Sequence, residues 1–335
     1  MSEAQEKSKQ PTVPSINQIL GRALIVTAAM LESLNSTILK MVQNTVYPDG
    51  SVSTPGSTTQ AGIDQAYSTF ADAYLEVLSE TSTAAWVKGS HQVAVQIPKS
   101  IIPVTDDPNP LLPYPQEITL APPNVDPPII RFPGIEKAVQ QLARMRIALP
   151  TDLYDVHQGH SQALQPITAA MVQEHRRKTG QILTEAIQTG DSYSGFKARF
   201  LQEVGPASNH QMERVFRDMT NIAVSRGKED TLKDPQVDEA FPYAWTSPIK
   251  DGRLTRLCAI CSKSGINGTP VFVRKDPTWQ LLQPPRHYNC RCSWFPATAG
   301  FVQRKWGVTE PKLVPFPQLP TEELKLLNSW LSKGA

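Results

Sequence analysis

SINQILGRALIVTAAMLESLNSTILKMV, residues Ser15–Val42, decides the architecture. Within it Ile16, Leu20, Leu24, Leu31, Leu34, Ile38 and Met41 recur at helical spacings, which gathers them on one side of a helix. Ser15 stands where an N-cap oxygen is needed. The most apolar run, Ala23–Leu31, is nine residues long between Arg22 and Glu32. A bilayer span needs roughly 18–20 apolar residues, so the stretch predicts a core helix and no membrane partner.

Residues 1–14, upstream, are polar, with no secretory apolar core, and predict a disordered start to a chain made in a cytoplasm. Downstream, a Gly/Ser/Thr/Pro loop (Pro48–Thr59) leads to Ile63, Tyr67, Phe70, Tyr74 and Leu78, again at helical spacing. Residues 15–100 thus read as a helical hairpin. Its plain role is a packed helix pair, and its functional one a docking face for another protein. Residues 101–133 hold ten prolines, which excludes interior helix and suits a semi-rigid linker or strap.

Helical pattern returns over 134–230, at Gly134–Leu149, Pro166–Thr189, Phe196–Val204 and Gln211–Arg226, with Gly190 as a stop. The run His175-Arg176-Arg177-Lys178 reads as an exposed helical turn. Residues 231–300 form a Cys/His module in which Val271-Phe272-Val273 is the best strand candidate, in a hairpin around Pro270–Arg274. Residues 301–335 read as a proline-rich tail with a short helix at Glu322–Leu331.

With 335 residues, 40% hydrophobic and 19% charged, the chain has room for two or three packed units. The fold class expected is mainly α, a helical N-terminal hairpin and a helical middle domain followed by a small α+β or irregular zinc-bound module. The net charge of +2 excludes little, but its distribution is uneven. Between Trp245 and Phe295 eight basic residues face two acidic ones, an excess of +6.

All four cysteines lie in that basic segment, as Cys258-x-x-Cys261 and His287-x-x-Cys290-x-Cys292. Thiolates from two loops plus an imidazole are what tetrahedral zinc requires. Five candidates compete for four places. A disulfide framework suits a reducing cytoplasm poorly, and pairing within Cys-x-Cys would be strained. Catalysis would need an open position and a neighbouring acid or base. The deaminase pattern wants Glu two residues after the ligand His, where this chain has Asn289. There is no H-E-x-x-H, no phosphate-binding Gly-rich loop and no nucleophile elbow. The expectation is one structural zinc per chain and no enzyme activity.

The string Tyr243-Ala-Trp245, Asp251-x-Arg253-x-x-Arg256-x-Cys258-x-x-Cys261, Pro284-Pro285-x-His287-x-x-Cys290-Arg291-Cys292 resembles the C-terminal motif of the phage Mu protein F-like minor head family. The upstream helix with Arg217, Asn221 and Arg226 and the Gly190-Asp191-Ser192 turn are similar too, so the resemblance covers about residues 165–297. It implies a low-copy minor head protein of a tailed bacteriophage, inside the virion head near the portal and in the host cytoplasm during assembly. Its partners would be the portal and other head proteins. Arg253, Arg256, Arg286 and Arg291 are the candidates for non-specific contact with duplex DNA, whose phosphates would release counterions on binding. The competing reading is a zinc-module DNA-binding protein that acts in the infected cell outside the virion.

Overall fold

Ser15 opens the first helix with a reciprocal cap. Its Oγ accepts from the Gln18 N–H at 3.2 Å, and the Gln18 side chain accepts from the Ser15 N–H at 2.7 Å. Two donors that a helix start leaves open are thereby satisfied. In a computed structural model that describes residues 13–97, 132, 134–144, 153–247, 265–276, 279, 283–285, 290 and 292–309, this helix is α1, Ile16–Gln43. It is followed by α2 (Ser57–Ala94), α3 (Ile135–Arg144), α4 (Leu153–Thr189), α5 (Tyr193–Glu203), α6 (Gly205–Thr231) and α7 (Pro235–Ala240). Then come β1 (Tyr243–Ser247), β2 (Val271–Val273), β3 (Ser293–Ala297) and a last helix, α8 (Ala299–Trp306). The chain is mainly α, as expected, with one small sheet among the described residues. The expected disordered start through Pro11–Thr12, the proline strap apart from Phe132, and the tail after Thr309 lie outside the described residues.

The chain divides into two units. The first takes α1, α2 through Ala84, α4, α5 and α6 through Met219. In α1 the buried stripe is Ile19, Ala23, Thr27, Leu31, Leu34 and Ile38. In the C-terminal half Leu31, Leu34 and Ile38 match the expected stripe, while Met41 is only half-buried and Val42 takes its place; in the N-terminal half Ile16, Leu20 and Leu24 are only half-buried. They lie one position around the helix from the true contact line, where small Ala23 and Thr27 permit close packing. Thr27 tolerates burial because its hydroxyl donates to the Ala23 carbonyl at 2.7 Å. By length and composition alone α1 would suffice to cross a membrane, beyond what its nine-residue apolar run suggests. Within this unit its stripe is already covered.

The five apolar residues expected to face inward from α2 all do so: Ile63, Tyr67, Phe70, Tyr74 and Leu78 are buried. Further along, every residue from 77 through 87 is buried, so the helix has no solvent side there. Ser79, Thr81 and Thr83 make this possible by donating to carbonyls four residues back, at 2.8, 2.7 and 2.9 Å. α4 begins 13 residues before the expected start at Pro166, which sits inside it. Pro166 and Gln162 are both exposed, so the carbonyl deprived of its partner faces water and the helix runs on. In the run 175–178, Arg176 and Arg177 are exposed, pairing with Asp64 at 2.5 Å and Glu174 at 2.7 Å. His175 departs from the expectation. It is buried, between the Tyr67 hydroxyl at 3.0 Å and Asn35 Oδ1 at 3.2 Å. Gly190, at φ +66, ends α4 as expected, and Ser192 caps α5.

The second unit holds α2 from Ala85, α3 from Ala138, α6 from Thr220, and the sheet with its helices. Here α2 and α6 cross with their backbones in contact. A Cβ on Gly89 would lie 2.1 Å from the Val224 carbonyl oxygen, and one on Gly227 would lie 2.0 Å from that of Trp86. Ser90 Oγ donates to the Gly227 carbonyl at 2.9 Å and Trp86 Nε1 to Asp230 at 2.8 Å, sealing the crossing. The sheet is antiparallel in the order β2-β1-β3, with Trp245 opposite Val271 and Phe295. Val271–Val273 is a strand, as expected, but its partner is Tyr243–Trp245 and not a neighbour across a hairpin at Pro270–Arg274. One face carries Tyr243, Trp245, Val271 and Ala297 under Val302, Phe301 and Trp306 of α8. On the other, Phe272, Trp279 and Trp294 form a chain of ring contacts, tilted at the first step and edge-to-face at the second, with centroids 5.4 Å apart at both.

Candidate metal centre

Asn221, Ser225 and Lys228 stand at i, i+4 and i+7 of α6, which aligns them on one helix face. Asn221 and Ser225 donate to main-chain carbonyls of the segment leading into β3, and Lys228 donates to one within β3 itself. Asn221 Nδ2 reaches Cys290 O at 2.6 Å, Ser225 Oγ reaches Pro284 O at 3.1 Å, and Lys228 Nζ reaches Trp294 O at 2.5 Å. Residues outside a ladder must place their carbonyls somewhere, and this row of donors receives two of them, from Pro284 and Cys290, together with the Trp294 carbonyl of β3. Lys228 is 1% exposed, and burial pushes its ammonium down to about 7. The Trp294 carbonyl and the face of Phe295, 4.5 Å away, are the groups that favour its charged form. The sequence singled out Asn221; Ser225 and Lys228 gave no signal of their own, because what they bind is main chain.

The clamp holds the cysteine string against α6. Cys290 and Cys292 are buried, at 2% and 6% exposure, and cluster with each other. Cys258, Cys261 and His287, the other three candidate ligands, lie outside the described residues, as do Arg253, Arg256, Arg286 and Arg291. Of the remaining basic residues of this segment, Arg274 binds Asp238 at 2.9 Å and the Phe241 carbonyl at 2.8 Å, and Lys275 binds Asp238 at 2.8 Å. These two belong to the module's own framework.

A second constellation, in the helical unit, escaped the sequence. Glu76 and Glu80, one turn apart on α2, meet His157 of α4. His157 Nε2 is 3.5 Å from Glu76 Oε1 and 3.4 Å from Glu80 Oε1. Glu80 is 3% exposed, and burial pushes its carboxyl up to about 7, with His157 opposing and Glu76 adding to the rise. Burial works against the charged imidazole of His157, but the two carboxylates outweigh it and hold its pKa above the ordinary value.

No curated protein and no solved structure matches the chain. A family model does, over residues 177–295, which run from the end of α4 through the donor row of α6 and the buried cysteines to β3. That family is described as Phage Mu protein F like protein, and over this segment the chain is similar to it.

Proposed function

We propose that this chain is a structural protein of bacteriophage head morphogenesis, a minor head protein placed near the portal. The observation that carries the reading is the extent of the family match: its boundaries enclose the α6 donor row and the cysteine string that the row holds. The head role and the finer placement at the portal both rest on the resemblance of this segment to that family. A structural zinc fits the module. Two buried cysteines side by side are soft donors already withdrawn from water, and Cys258, Cys261 and His287 supply enough further donors for a closed tetrahedral site. The zinc would staple the irregular segment. Arg253, Arg256, Arg286 and Arg291 would then face packaged DNA through phosphate contacts that weaken with salt.

The test is quantitative mass spectrometry of purified particles and proheads of the phage encoding the chain, scored against the major capsid protein. A count of a few to a few tens of copies per particle is expected. Absence from both particles and proheads overturns the reading and leaves a zinc-module DNA-binding protein of the infected cell in its place.

A further inference from the structure

We propose that Glu76, Glu80 and His157 form a binding site for a divalent transition-metal ion of the zinc class, in the helical unit and outside the segment that matches the family. The proposal is independent of the head reading.

Three observations carry it. First, the donor set is right. Two carboxylate oxygens and one imidazole nitrogen lie within 4.8 Å of one another, all three on helices. A mixed nitrogen and oxygen set favours zinc-class ions over magnesium or calcium, which prefer oxygen alone. Second, the spacing suits an ion better than a hydrogen bond. Nε2 lies 3.5 and 3.4 Å from the two carboxylate oxygens, beyond the usual N–H···O range of about 2.7–3.2 Å. Metal–ligand bonds of about 2.1 Å in a tetrahedral site place neighbouring donors ~3.4 Å apart. Third, the site is under-satisfied as it stands. His157 Nε2 is buried without a hydrogen-bond partner. Glu80, 97% buried on the stretch of α2 that has no solvent side, finds among the described residues only His157 as a polar contact. A buried carboxylate so placed is costly unless a cation compensates it. A proton on His157 offers one charge at a distance; a divalent ion offers two in direct contact with all three donors.

Access fits as well. The Glu76 side chain is 27% exposed and that of His157 17%, so an ion can enter from the outer side while Glu80 forms the floor. The remaining coordination position then falls to water on the Glu76 side.

The experiment uses the full chain, stripped with chelator under reducing conditions and titrated with Co2+ and Zn2+. Co2+ bound by cysteines shows an ultraviolet thiolate charge-transfer band, whereas Co2+ bound by Glu76, Glu80 and His157 shows only weak visible bands. Wild-type protein is expected to bind one equivalent of Co2+ that adds no thiolate band, and H157Q to lose that equivalent while keeping any thiolate-bound ion. Glu80→Gln removes the buried charge, so this variant should fold at least as well as wild type without metal, yet gain less thermal stability from added Zn2+ than wild type does, keeping only the share that the cysteine module contributes. Equal metal uptake by wild type and H157Q, or equal Zn2+ stabilisation of wild type and Glu80→Gln, overturns the proposal and leaves a His–Glu ion pair.

Discussion

Lys228 Nζ lies 2.5 Å from the carbonyl oxygen of Trp294, so a lysine that is 1% exposed ends on the main chain of a strand, with no carboxylate as its partner among the described residues. An ammonium buried in this way makes stability depend on pH above neutrality. The folded chain holds this proton only up to about 7, whereas the unfolded chain holds it to the ordinary lysine value of 10.5. Between those values the unfolded state binds more protons, so stability rises with pH. Lys228→Met should flatten that rise. Urea unfolding of both proteins at pH 7 and pH 9 measures it, and parallel slopes would refute the assignment.

Asn221 should control access to the cysteines. Asn221→Ala leaves the Cys290 carbonyl without its donor, at a cost of about 1–3 kcal/mol. Asn221→Asp is worse, because a carboxylate has no donor to offer. Both variants should react faster with a thiol reagent than wild type. Unchanged labelling rates would mean that the clamp does not hold the cysteine string.

At the helix crossing of the second unit, a methyl group is already too much. Gly227→Ala places a Cβ 2.0 Å from the Trp86 carbonyl oxygen, and the helices must part. A loss of ~3 kcal/mol or more is expected. Gly180→Ala is the control. It lies inside α4 with nothing within 4 Å of its Cβ, and it should gain ~0.5–1 kcal/mol from helix propensity. Thermal melts of the two variants should move in opposite directions.

His175 should weaken the helical unit in acid. Burial, with Lys178 adding, lowers its pKa from 6.5 to about 4. The unfolded chain therefore takes up this proton first, and stability falls as pH drops from 6.5 towards 4. His175→Gln, which keeps a hydrogen-bonding end group, should reduce that dependence. The difference between the two pH profiles isolates His175 from Glu80 and His157, which titrate in the same unit.

Removal of zinc should expose the module. Chelation is expected to release one thiolate-bound zinc per chain and to lower the melting temperature. Chelated protein that melts as the untreated protein does would remove the zinc staple from the account.

Periodicity made the buried face of α2 legible from Ile63 to Leu78, because each of those residues is large and apolar. It failed on α1 where the contact line runs through Ala23 and Thr27, which pack by being small and leave no hydrophobic signal. Pro166 read as a helix start because proline is at home there. Only its exposed position shows why the helix continues through it. The cysteine string stood out by spacing, whereas Glu76, Glu80 and His157 form no local motif. Eighty residues of chain separate the first of them from the last, to within a turn, and only the packing of α2 on α4 joins them. Ser225 and Lys228 were illegible for a different reason, since a side chain that binds a carbonyl has no partner residue type to betray it.

That last point bears on how this surface can evolve. The three donors of α6 read the path of the chain and ignore its spelling, since every group they hold is a peptide oxygen. Substitutions in the held segment that keep the path leave the grip intact. One scaffold can therefore present different outer faces to different neighbours without being refolded for each, and a library randomised at outward positions of this segment is the natural place to look for altered assembly specificity.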